Sequence, residues 1–157
     1  MPKVITILIL FIFSSVVNAQ KNTAEIAIKK TIETFFDGLH KGDSTVVGKT
    51  LHTTVKIQTT FTNKHSVKTL ITDDKNKLLV AINSKRPEHT YLEKLLSWTI
   101  NVDGNLASVW TPYEFYLNGN LSHCGANSFQ LFNNNGKWEI IYLIDMRRKN
   151  NCKTLKI

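Results

Sequence analysis

The side chains best suited to chemistry lie in the second half of the chain: His123, Asn127, the carboxylates Glu114 and Asp145, and the adjacent pair Arg147 and Arg148. Imidazole titrates near neutrality and serves as acid, base or hydrogen-bond partner, which makes His123 the first candidate for catalysis or ligand contact. Asn127 has the strand parity of His123 and adds an amide that can hold a carbonyl or a ring nitrogen. The guanidinium fork suits carboxylate or phosphate. Alternation lets only one of the two arginines face inward. A regular register favours Arg148, whereas a β-bulge would bring Asp145 or Arg147 in instead. Trp110 and Tyr116 share the parity of Glu114 and are candidates for ligand stacking, with packing in the core or an interface as the alternative. Tyr113 takes the opposite face of the same strand. An isomerase or dehydratase needs an acid and a base on one substrate. Glu114, His123 and Asp145 are available, but their spacing selects no pair.

Several other chemistries have no foothold. The sequence contains no Ser-His-Asp arrangement, P-loop or dinucleotide signature, and its two isolated cysteines, Cys124 and Cys152, lack the neighbours of a metal cluster. No cofactor and no metal are expected. Whether the cysteines pair is left open, because pairing requires the tail to fold back onto a strand.

These residues need elements to position them. Ile28, Ile32, Phe35, Phe36 and Leu39 recur at three- and four-residue steps, predicting a helix from about Ala24 to His40 that Thr23 caps and Gly42 ends. Asp43 or Ser44 can cap a second, shorter helix bearing Val46, Val47 and Leu51. Val55, Ile57 and Thr59 then alternate with polar residues, as in a half-buried strand. His65 to Ile71 reads as a short strand or turn, and Thr72-Asp73-Asp74 opens a third helix that Arg86-Pro87 stops. Four antiparallel strands are expected next: Tyr91–Val102, Leu106–Leu117, Asn120–Phe132 and Lys137–Arg148, with Asp103-Gly104 and Asn118-Gly119 as tight turns. In the last strand Trp138, Ile140, Tyr142, Ile144 and Met146 form the apolar set. A sheet of this length must bury one face, and the helices of the first half are its only cover. The expected fold is α+β, a curved sheet wrapped around three helices with a cavity where they diverge.

The N-terminus reads differently. Lys3, the apolar run Val4–Phe13 and the small residues at Val17-Asn18-Ala19 form a secretory signal peptide over 1–19, too short for a membrane anchor. The remaining residues, 20–157, suffice for one domain with no further membrane segment. The expected destination is the periplasm or the exterior. The formal net charge of +8 is spread along the chain rather than gathered in a stripe, which argues against a nucleic-acid partner.

One pattern recurs in known proteins. The run Trp110-Thr111-Pro112-Tyr113-Glu114-Phe115-Tyr116-Leu117-Asn118-Gly119, then Ser122-His123-Cys124-Gly125, Ser128-Phe129-Gln130-Leu131, Lys137-Trp138-Glu139-Ile140 and Asp145-Met146-Arg147-Arg148 resembles the branch named lumazine-binding within the nuclear transport factor 2-like (NTF2-like, SnoaL-like) superfamily. Leu51-His52 matches a Leu-His-Pro stretch common there, with Thr53 in place of the proline. The resemblance covers most of the mature chain. It implies a cone of three helices on a curved sheet, a homodimer through the open sheet face, and a place for His52 near the pocket rim. The superfamily holds isomerases, cyclases and dehydratases beside many binding proteins, so fold alone does not choose among them. Three readings follow: a cell-envelope protein binding a small hydrophobic or anionic ligand, a dimeric interaction module without catalysis, and a small enzyme using His123 as acid or base.

Overall fold

The computed structural model describes residues 23–152. The signal peptide expected over 1–19 lies outside the described residues. Helix α1 covers residues 23–41, and α2 (Ser44–Thr50) and α3 (Lys75–Asn83) follow. The strands are β1 (Leu51–Thr62), β2 (Lys68–Asp73), β3 (Tyr91–Leu95), β4 (Thr99–Asp103), β5 (Leu106–Leu117), β6 (Asn120–Asn134) and β7 (Lys137–Arg148). They form a 7-stranded sheet in the order β2-β1-β7-β6-β5-β3, with β4 also on β5. Every pairing is antiparallel except β1 with β7, so the sheet is mixed.

Local chemistry explains the element ends. Gly42 takes φ +74°, a left-handed stop to α1 that a side chain would strain. The Asp43 carboxylate then accepts hydrogen bonds from the Thr45 and Val46 amides at 2.9 and 3.0 Å, capping α2. Asp74 does the same for α3 through the Lys77 amide. Asn118 and Gly119 both have positive φ, as the two-residue β5–β6 turn requires.

The apolar stripe of α1 lies in the sheet's hollow. Ile28, Ile32, Phe35 and Phe36 are buried against Val109, Phe129, Leu131 and Ile140. Phe129 meets Phe35 and Phe36 edge-on, with ring centroids 6.3 and 6.1 Å away. Outside the hollow, Cys124 and Cys152 form a disulfide that ties the chain after β7 back to β6.

Two departures from regular alternation set what faces inward. The stretch expected as one strand, Tyr91–Val102, is broken at Leu96-Ser97-Trp98. Opposite the break stands Pro112, which has no N–H to give its neighbour. Three residues there span two on β5, so parity flips: Glu93 and Leu95 lie across from Phe115 and Tyr113, while Ile100 and Val102 lie across from Val109 and Ala107. The second departure is in β7, where Gln130 pairs with Tyr142 but Leu131 with Ile140, leaving Ile141 as an extra residue. Trp138 and Ile140 face inward as expected. Beyond the bulge the inward set is Leu143, Asp145 and Arg147, and Tyr142, Ile144, Met146 and Arg148 face out, contrary to the unbroken alternation.

Candidate functional site

Three inward-facing rows cross β5, β6 and β7 in succession: Val109–Phe129–Leu143, then Thr111–Asn127–Asp145, then Tyr113–Gly125–Arg147. The first is apolar. The next two bring an amide, a carboxylate, a phenol and a guanidinium into the part of the hollow that α1 does not fill. There the structure has a cavity of about 520 Å³, walled by Phe35, Phe36, Leu39, Leu78 and Leu143 and ending on Glu93, Asn127, Asp145 and Arg147.

The polar groups are connected. Asn127 Nδ2 donates to Glu93 Oε1 at 2.7 Å. The Tyr113 hydroxyl donates to Asp145 Oδ2 at 2.9 Å, and Arg147 Nε reaches the same oxygen at 3.3 Å. Burial is the main reason that the Glu93 carboxyl is pushed up to about 7, with the Asp145 charge adding to it and the Asn127 hydrogen bond opposing it. Burial raises Tyr113 as well, so the phenol stays protonated and remains a donor. The Glu93 amide donates to His40 Nε2 at 2.7 Å, which ties β3 to α1 and leaves the imidazole proton on Nδ1. Burial lowers the His40 pKa, consistent with a neutral acceptor.

Close approach makes the arrangement possible. A Cβ on Gly125 would lie 1.7 Å from the Met146 carbonyl oxygen and 3.0 Å from the Tyr113 ring. Glycine there lets β7 and the Tyr113 ring crowd the middle of the row.

The residues singled out from sequence are scattered by this geometry. Asn127 is buried in the cavity wall. His123 shares its face but sits nearer the rim, stacked on Phe115 with centroids 4.7 Å apart and edge-on to Tyr113. Burial, aided by Arg147 and Lys149, pushes its imidazole down to about 4. Arg148, favoured inward by a regular register, faces out opposite Cys124, and Arg147 takes the inward place because of the bulge. Trp110, 50% exposed, and Tyr116 stand on the outer face, where the Tyr116 hydroxyl donates to Glu114. His52 is the second residue of β1, at the far end of the sheet, its Nδ1 against Thr54 and its ring against Phe132, away from the residues that line the cavity. Sequence reasoning missed Glu93 altogether. The signal that could have found it is Pro112, whose missing donor breaks the neighbouring strand and sets the parity of Tyr91–Leu95.

The chain matches no protein-family model and no curated protein. Solved structures do match. An NTF2-like protein of unknown function from Shewanella baltica superposes with a TM-score of 0.59 at 18% identity, covering 82% of this chain and 96% of that one. A cystatin-like protein of unknown function from Nostoc punctiforme gives 0.62 at 14% identity, covering 80% and 92%. A provisionally assigned dehydratase of the NTF2-like family from Streptomyces avermitilis gives 0.60 at 9% identity, covering 82% and 99%. At these identities the likeness is one of fold.

Proposed function

On this NTF2-like, cystatin-like scaffold, we propose an exported small-molecule-binding protein of the cell envelope whose ligand occupies the open end of the cone. The observation that carries this reading is the convergence of Glu93, Asn127, Asp145 and Arg147 on an apolar-walled cavity of about 520 Å³, a size and polarity typical of ligand sites. A fitting ligand has a flat or compact apolar body against Phe35 and Phe36 and a head that both donates and accepts hydrogen bonds. A small flat heterocycle meets both requirements. Export is supported by the leader-like residues 1–19 and by the Cys124–Cys152 disulfide, which suits an oxidising compartment. Trp110, Leu121 and Met146 are exposed apolar residues on the outer face and would pack against a second copy.

One observation favours a second reading, acid–base catalysis. A carboxyl that titrates near 7 inside a cavity is matched to proton transfer at neutral pH. Glu93 is then better placed for it than His123, which is neutral and a weak base at that pH. The test is native mass spectrometry of the mature protein purified from its own cells. A retained small molecule that is lost from Asn127→Leu supports the binding reading. A protein that is empty under gentle conditions and binds no heterocycle on addition overturns it. Conversion of an added compound by the wild type but not by Glu93→Gln would move the assignment to the enzyme.

A further inference from the structure

A second recess, adjoining the cone cavity at Phe61 and Arg147, opens at the rim where the β1–β2 hairpin, the start of β6 and the exit from β7 meet. It measures about 790 Å³, and its lining includes Lys64, His123, Arg147, Arg148 and Lys149 but no Asp or Glu. Such a concentration of positive charge would repel itself unless an anion were near. Arg147 already has a partner in Asp145. Arg148 has none: its Nε is buried without a hydrogen-bond partner among the described residues, and its Nη1 has only the Met146 sulfur at 3.9 Å. An unpaired buried donor on a charged group is costly, and a ligand oxygen would remove that cost.

The site is also held in place. The Ile141 bulge turns Arg148 to the outer side of β7, opposite Cys124. Cys124 is bonded to Cys152, whose sulfur lies 4.0 Å from the Arg148 carbonyl oxygen, so the backbone bearing Arg148 and Lys149 is fastened to β6. Across the recess, the Asn63 side chain accepts hydrogen bonds from the His65 and Val67 amides and shapes the hairpin that carries Lys64. We propose that this rim recess binds a phosphate group, with the Arg148 fork as its main contact and Lys149 and Lys64 supplying further charge. A dianion matches the surplus better than a single carboxylate, and the planar fork can take two of its oxygens. His123 would report occupancy from the edge, because an anion offsetting Arg147 and Lys149 raises the pKa they help to depress.

The test titrates the mature chain with inorganic phosphate at constant ionic strength, following the Arg148 Nε–H and His123 ring signals by NMR. The expected result is a saturable shift at Arg148, a rise of the His123 pKa by about one unit, and binding weakened at least tenfold in Lys149→Gln and in Arg148→Gln. Lys56→Gln, which removes the same charge from an exposed strand position outside the recess, should bind as the wild type does. Lys149 is exposed, so its variant tests the site even if Arg148→Gln fails to fold. Shifts that do not saturate, or that are equal in Lys149→Gln and Lys56→Gln, overturn the proposal. Glycerol phosphate and vesicles containing phosphatidic acid separate the two sources of the group. Competition by the soluble ester assigns a free phosphate compound, and capture by vesicles alone assigns a lipid headgroup. Arg148 and Lys149 lie outside the lining of the cone cavity, so the variants test the recess and not the cone.

Discussion

The narrow and open ends of the cone are laid down by the same strands, yet they are chemically opposite. At the narrow end Val109, Phe129, Leu131 and Ile140 meet the apolar stripe of α1. One row further along, Asn127 and Asp145 replace Phe129 and Leu143, and one row beyond that Tyr113 and Arg147 flank Gly125. The helices close over the first region and diverge from the second. Stability is therefore concentrated where the helices touch the sheet, and polar groups gather where they do not, with Asn127 and Asp145 buried and Arg147 reaching solvent. A protein needing only a core could have continued the apolar rows; this one stops them at a cavity.

Breaking the narrow end should have the largest effect. Phe129→Ala removes the ring that two α1 phenylalanines pack against and is expected to cost about 3–5 kcal/mol in urea unfolding. Retention of full stability would mean that α1 is not seated as described. Gly125→Ala comes next. Its methyl meets backbone rather than a flexible side chain, so a loss of roughly 3 kcal/mol is expected, together with loss of the Tyr113–Asp145 hydrogen bond. The Tyr113 near-ultraviolet circular dichroism signal reads that second effect.

Two further variants sharpen the contrast through pH. Folding raises the Glu93 pKa from 4.5 to about 7. Between those values the folded chain holds a proton that the unfolded chain has lost, so stability falls as pH rises through that window and stays reduced above it. Roughly 3 kcal/mol is at stake. Glu93→Gln should lack this fall and be the more stable protein at pH 8, with the two close together at pH 4.5. His123 works in the other direction. Its folded pKa, about 4 against an ordinary 6.5, makes stability drop as pH falls from 6.5 toward 4. His123→Phe keeps a ring against Phe115 and should remove roughly 1 kcal/mol of that loss, allowing for solvent screening of the partly exposed imidazole.

Much of this architecture was legible in the sequence. The 3.6-residue spacing of Ile28, Ile32 and Phe35, the helix starts at Asp43-Ser44 and Thr72-Asp73-Asp74, and the Asn118-Gly119 turn are local signals, and the structure follows them, choosing Asp43 and Asp74 as the caps. The site was less legible because two single-residue irregularities control it. Strand alternation carries no memory of a bulge: the extra Ile141 exchanges Arg148 for Arg147, and the break opposite Pro112 brings Glu93 inward. Asn127 and His123 lie on an uninterrupted stretch of β6, and their shared face was read directly. The parallel pairing of β1 with β7 joins distant segments and leaves no local mark.

The contrast between the two ends rests on the Glu93 carboxyl being desolvated at the floor of the open end. The ¹³C titration of the Glu93 carboxyl by NMR measures this in one curve. A midpoint near 7, falling toward the ordinary range when Asn127, Asp145 and the α1 wall are opened by denaturant, is the expected result. A midpoint near 4.5 in the folded protein would mean that water fills the hollow and that Glu93 is a surface carboxylate, and the account of a dry polar site would be wrong.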